Sequence, residues 1–123
     1  MKGLIITTDN IIRIAEFSNP AHESIGKVVG GWIEIVHPKR LDTPYCMVVN
    51  EEGLLMDLPL NLYGSYLYCT ELHGNPIVGD IVILKEGWNH GERDFDGLSD
   101  EECRTFAEQI EEWSHGDIHR EVQ

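Results

Sequence analysis

The sequence predicts an α+β domain: one mixed β-sheet of about five to six strands packed against an N-terminal and a C-terminal helix. Three observations carry this. Short apolar, β-branched runs recur at residues 2–7, 11–17, 32–36, 45–49 and 81–84. Two stretches, one after Pro20 and one after Ser99, instead repeat apolar residues at helical spacing. The chain has 123 residues, which suits a single domain that buries about two-thirds of its unfolded surface.

Residues 2–7 and 11–17 flank Thr8-Asp9-Asn10, whose short polar side chains favour a tight turn, so the pair reads as a hairpin. Ser18-Asn19-Pro20 marks a helix start, with Asn19 as cap and Pro20 in the first turn. Ala21, Ile25, Val28 and Val29 share one face of that helix, and Gly30-Gly31 end it. This ββα order is a β-grasp-like start. Trp32 to Val36 is a strand in which Glu34 is the exposed or functional exception. Tyr45 to Val49 is apolar on both faces, as a central strand is.

Asn50-Glu51-Glu52-Gly53 is a turn, with Gly53 expected at positive φ, and Leu54-Leu55-Met56 is expected to return as a short strand. Pro59 to Cys69 reads as a loop with a helical turn, and Ile81 to Leu84 as the last strand. Residues 86–97 hold three glycines and many charges, so they read as a mobile flap in which Trp88 and Phe95 close over a ligand or dock on the core. Ser99 and Glu102 form a capping box for a final helix with Cys103, Phe106, Ile110 and Trp113 on its apolar stripe. The domain is expected to span 1–114, followed by a polar, frayed tail at 115–123.

Charge is the strongest compositional signal. Twenty-two acids against nine bases give −13, and residues 85–123 carry 12 of those acids against 4 bases. Such a chain has no electrostatic footprint for DNA, RNA or an anionic membrane. No apolar run approaches the ~20 residues of a membrane-spanning helix. The start, Met1 to Thr7, is too short for the apolar centre of a secretory leader. Cys46, Cys69 and Cys103 are odd in number and widely spaced, so they are no disulfide framework. A cytoplasmic protein in a reducing compartment is expected.

No nucleophile elbow, metalloprotease helix or phosphate-binding loop occurs, and the reading leans away from an enzyme. Cys69 and His73, with His37 and Cys46 upstream, are zinc-ligand types but lack paired spacing, so no metal or cofactor is expected. Candidate ligand-binding residues remain. Asn50 and Asn61 each offer a donor and an acceptor, as purine or amide recognition requires. Trp32, Tyr63 and Trp88 offer stacking surfaces, alongside Tyr45, Tyr66 and Tyr68. Lys39-Arg40 is the one adjacent basic pair and is suited to phosphate.

Four segments occur in a fixed order: Val28-Val29-Gly30-Gly31-Trp32-Ile33-Glu34, Asn50-Glu51-Glu52-Gly53, Leu58-Pro59-Leu60-Asn61, and Ile77-Val78-Gly79-Asp80. The series resembles a family of small domains of unknown function encoded by phages, plasmids and integrative elements. That family carries VGGYIE, NEEG, LPxN and IxGD in this order. Here Trp32 stands in place of the usual tyrosine, and residues 85–97 are longer than the common form. The resemblance lends no catalytic residue. It implies an accessory gene of a mobile element, acting in host takeover or counter-defence in the bacterial cytoplasm. Two functions follow as expectations. The first is a non-catalytic binding protein that sequesters a small nucleotide-like ligand. The alternative is an acidic inhibitor or DNA mimic that binds a host protein. A homodimer or higher homo-oligomer is a third expectation, since sites are often built between subunits.

Overall fold

The computed structural model describes residues 1–89 and 91–121. Along the chain run β1 (Lys2–Ile6), β2 (Ile11–Glu16), α1 (Ala21–Val29), β3 (Ile33–Val36), β4 (Tyr45–Asn50), α2 (Leu62–Leu67) and α3 (Thr70–His73). Then come β5 (Ile81–Asn89), β6 (Glu92–Asp96), α4 (Asp100–Trp113) and β7 (His119–Arg120). The strands form one mixed, seven-stranded sheet in the order β3-β4-β5-β1-β2-β7, with β6 also paired to β5. All pairings are antiparallel except the short β2–β7 contact.

The central strands alternate between two buried faces, because successive side chains in a strand point to opposite sides. Leu4, Ile6, Met47, Val49, Ile81 and Ile83 face one cluster, to which α4 adds Cys103, Ala107 and Ile110. Ile5, Cys46, Val48, Val82 and Leu84 face the other, to which α1 adds Ile25 and Val29. The two helices therefore lie on opposite faces. β4, β5 and β1 are buried on both sides, which is why they read as continuous apolar runs.

Two caps follow the expected chemistry. Gly30 takes φ +87 and its N–H closes α1 on the Gly26 carbonyl. The Ser99 hydroxyl accepts from the Glu102 N–H at 3.0 Å, and the Glu102 carboxylate accepts from the Ser99 N–H at 2.9 Å.

Several expectations are corrected. Pro20, not Asn19, is the N-cap of α1, in extended conformation and with no side-chain cap; the nearby Ser24 hydroxyl donates to the Ser18 and Ala21 carbonyls. Leu54 to Met56 form no strand. The chain there bonds to itself, with the N–H groups of Met56, Asp57 and Leu58 donating to the carbonyls of Glu52, Leu54 and Gly53, so nothing is left for a ladder. Gly53 is not at positive φ. A Cβ there would lie 2.9 Å from Val78 Cγ2, so close packing is what asks for glycine.

The expected flap at 86–97 is instead the β5–β6 hairpin, apart from His90, which lies outside the described residues. Cross-strand bonds order the segment, and Phe95 packs on the α1-face cluster with its ring 5.3 Å from that of His22. The expected tail beyond Ser114 does not leave the fold. Ile118 is buried and β7 pairs with β2, while residues 122 and 123 lie outside the described residues.

Candidate functional site

β3 forms one margin of the sheet, and its geometry follows from the register. Ile33 lies opposite Asn50, Glu34 opposite Val49, Ile35 opposite Val48 and Val36 opposite Met47. In an antiparallel ladder, pairs that exchange hydrogen bonds alternate with pairs that do not. The Glu51 N–H donates to the Trp32 carbonyl at 2.8 Å, which makes Glu34 and Val36 the residues that bond to β4. Ile33 and Ile35 consequently turn their N–H and C=O groups outward. Among the described residues β3 has no second neighbouring strand.

The side chains along this margin alternate as well. Ile33 packs toward the α1 face and Val36 toward the opposite one, so Ile35 lies on the α1 face and Glu34 on the other. Ile35 is 38% exposed, and Glu34 is exposed. Beneath Glu34 opens a cleft of about 420 Å³ whose lining includes Val36, Glu51, Leu54, Leu55 and Tyr68. Leu55 is 86% exposed, and Trp32 beside the strand is 75% exposed. No ion pair of the described residues neutralises Glu34, Glu51 or Glu52. The margin thus joins free backbone groups, exposed apolar surface and unneutralised carboxylates.

A second cleft of about 430 Å³ lies between the loop before β4 and α4, lined by Leu41, Asp42, Tyr45, Glu101, Glu102 and Phe106 among others. Of its three carboxylates, that of Glu102 is held by three donors. Glu102 accepts from the Tyr45 hydroxyl, the Ser99 N–H and the Lys85 ammonium, the last at 2.9 Å. These donors, Tyr45 foremost, hold its pKa at about 2. Such a carboxyl has no proton to give near neutral pH, so it is an anchor for α4 rather than a general acid.

The sequence-predicted site residues do not converge. Asn61 is buried and caps α2; its Oδ1 accepts from the Gly64 N–H, and its amide donates to the Ile6 and Gly79 carbonyls. Asn50 is buried too, donating to the Val29 carbonyl at 3.0 Å and accepting from the Glu52 N–H at 2.8 Å. Both amides hold the fold together. Tyr63 is buried, and burial pushes its hydroxyl pKa up to about 12.

Arg40 lies 4.5 Å above the Tyr66 ring, donates to the Tyr66 carbonyl and pairs with Glu71. Lys39 is exposed beside it. Trp88 is 76% exposed and lines a separate cleft with His37, Pro44 and Glu86. Trp32 borders yet another shallow depression along α1. Cys46 and Cys69 are buried, His37 pairs with Glu86, and His73 contacts the Tyr68 carbonyl. Among the described residues no three His, Cys, Asp or Glu side chains gather as a metal would need, and no helix is long and apolar enough to cross a membrane.

Sequence reasoning missed Ile35, Leu54 and Leu55. A signal for the leucines exists. Three consecutive apolar residues follow Gly53 directly, without the alternation that a half-buried strand requires.

Fold and margins define a mixed α+β domain with an open sheet edge. The chain belongs to the family described as Domain of unknown function (DUF3846), whose profile matches residues 1–111. No curated protein matches the sequence. Among solved structures, it is similar to part of the crystal structure of small RNA methyltransferase HEN1. The TM-score is 0.53 at 11% identity, over 84% of this chain and 15% of that one. At that identity the likeness is one of fold alone, and this chain spans a small fraction of that protein's length.

Proposed function

We propose that this domain works without catalysis by binding a protein partner of basic character. The observation that carries the reading is the distribution of its side chains. The amides suited to a small ligand are engaged inside the fold, and the exposed aromatics lie in separate shallow clefts. Recognition by a broad surface fits this better than enclosure of a small molecule, whose sites are concave and convergent. A net charge of −13 favours encounter with a cationic partner and disfavours anionic ligands. The resemblance to mobile-element domains adds that the partner is a host protein met in the bacterial cytoplasm.

The immobilised domain, exposed to host lysate, is expected to retain one stoichiometric partner at low salt and less of it at high salt. Retention of no specific partner at low salt would overturn the reading. The competing ligand-sequestering reading has its own test in a thermal-shift screen with cyclic and linear nucleotides. A ligand at a hundred times its Kd contributes about 2.7 kcal/mol, so a clear rise in melting temperature would replace protein binding with ligand sequestration.

A further inference from the structure

We infer that the open edge of β3 accepts an extended segment of the partner as an added antiparallel strand, one in which basic and apolar residues alternate. The inference rests on the protein-binding reading above and names its site and its chemistry.

An unpaired edge is a ready template for another strand, and proteins guard such edges with short strands, charged side chains, proline or a covering element. β3 is four residues long and its one charge is Glu34, which opposes an acidic strand and admits a basic one; it contains neither proline nor lysine, and among the described residues no element pairs with its outer side. The outward groups of Ile33 and Ile35 provide the backbone bonds. The residue opposite Glu34 then falls in the close, non-hydrogen-bonded position on Glu34's own face. A lysine or arginine there meets Glu34, with Glu51 lining the same cleft, and its aliphatic stem lies along Leu54 and Leu55. The residues on either side of that cation point to the opposite face, beside Ile33 and the half-open Ile35, where apolar side chains fit. The alternation is therefore dictated by the margin itself.

The same geometry argues against a second copy of the chain. Pairing β3 with itself so that all the outward groups are used sets Glu34 directly opposite its own counterpart. Like charges so placed are destabilising, and each copy carries −13.

The test measures fluorescence anisotropy of two labelled ten-residue peptides, one alternating valine and lysine, the other valine and glutamate. The wild-type domain is expected to bind the first and not the second. Ile35→Pro removes an outward N–H without touching the β4 ladder, and is expected to weaken binding at least about tenfold. Glu34→Lys, on an exposed side chain, is expected to reverse the preference between the peptides, and it decides the matter if Ile35→Pro does not fold. Binding of neither peptide, or equal binding of the valine–lysine peptide by wild type and Glu34→Lys, would overturn the inference. A lysate partner retained equally by wild type and Glu34→Lys would overturn the edge site while leaving the protein-binding reading intact.

Discussion

The β3 and β7 margins of the sheet are closed to different degrees. At the β7 margin, two residues of strand cover β2, and the chain around them is fastened from several directions. Ile118 is buried. The Ser114 hydroxyl accepts from the Ile118 N–H at 2.9 Å and donates to its carbonyl at 3.2 Å. Arg120 pairs with Glu111 at 2.7 Å, and Arg13 with Glu121 at 3.2 Å. At the β3 margin, backbone groups face outward, apolar side chains are exposed, and no ion pair of the described residues neutralises Glu34. The first margin is made of interactions completed within the chain. The second is made of the same kinds of group left uncompleted, which the proposed added strand would complete.

Substitutions sharpen this contrast. Ile118→Ala empties a fully buried site and is expected to cost about 3 kcal/mol of unfolding free energy, read from denaturant titration. Asn61→Ala removes the cap of α2 and leaves the Ile6 and Gly79 carbonyls without their donors, for about 2 kcal/mol by the same measurement.

Glu102 ties α4 to the sheet, and its contribution depends on pH. Its pKa is depressed in the folded chain, so its stabilisation is present above the ordinary carboxylate range. It is lost as pH falls from about 4.5 toward about 2. Over that window Glu102→Gln is expected to lose less stability than wild type, and identical pH profiles would contradict the role assigned to the Tyr45, Ser99 and Lys85 donors. At the β3 margin, Leu55→Ala is expected to change stability by no more than about 0.5 kcal/mol. A large loss there would mean that the exposed leucine belongs to the core.

The parts of the fold legible in the sequence are those where local pattern and burial agree. The hairpin of β1 and β2, the doubly buried β4 and the capping box at Ser99 all belong to that set. The β5–β6 hairpin is not legible, because its order comes from cross-strand bonds and a single packed ring, Phe95, which leave no periodic apolar face. The segment after Ser114 reads as a tail because one buried side chain, Ile118, leaves no periodicity.

The candidate site was harder still. Asn50 and Asn61 have the chemistry of ligand anchors, and only the carbonyls around them reveal that each is a clasp inside the fold. Glu34 stood out as a charged residue in an apolar strand. That its strand lies at the sheet's margin depends on pairings between segments far apart in sequence.

Amide hydrogen exchange along β3 tests the central claim most directly. In the free domain, the amides of Ile33 and Ile35 should exchange fast, while those of Glu34 and Val36, bonded to β4, should be protected. On addition of the alternating valine–lysine peptide, the Ile33 and Ile35 amides should slow selectively, since an added strand takes up their outward N–H groups. Slow exchange of all four amides in the free domain, or no change at Ile33 and Ile35 when the peptide is bound, would contradict the account.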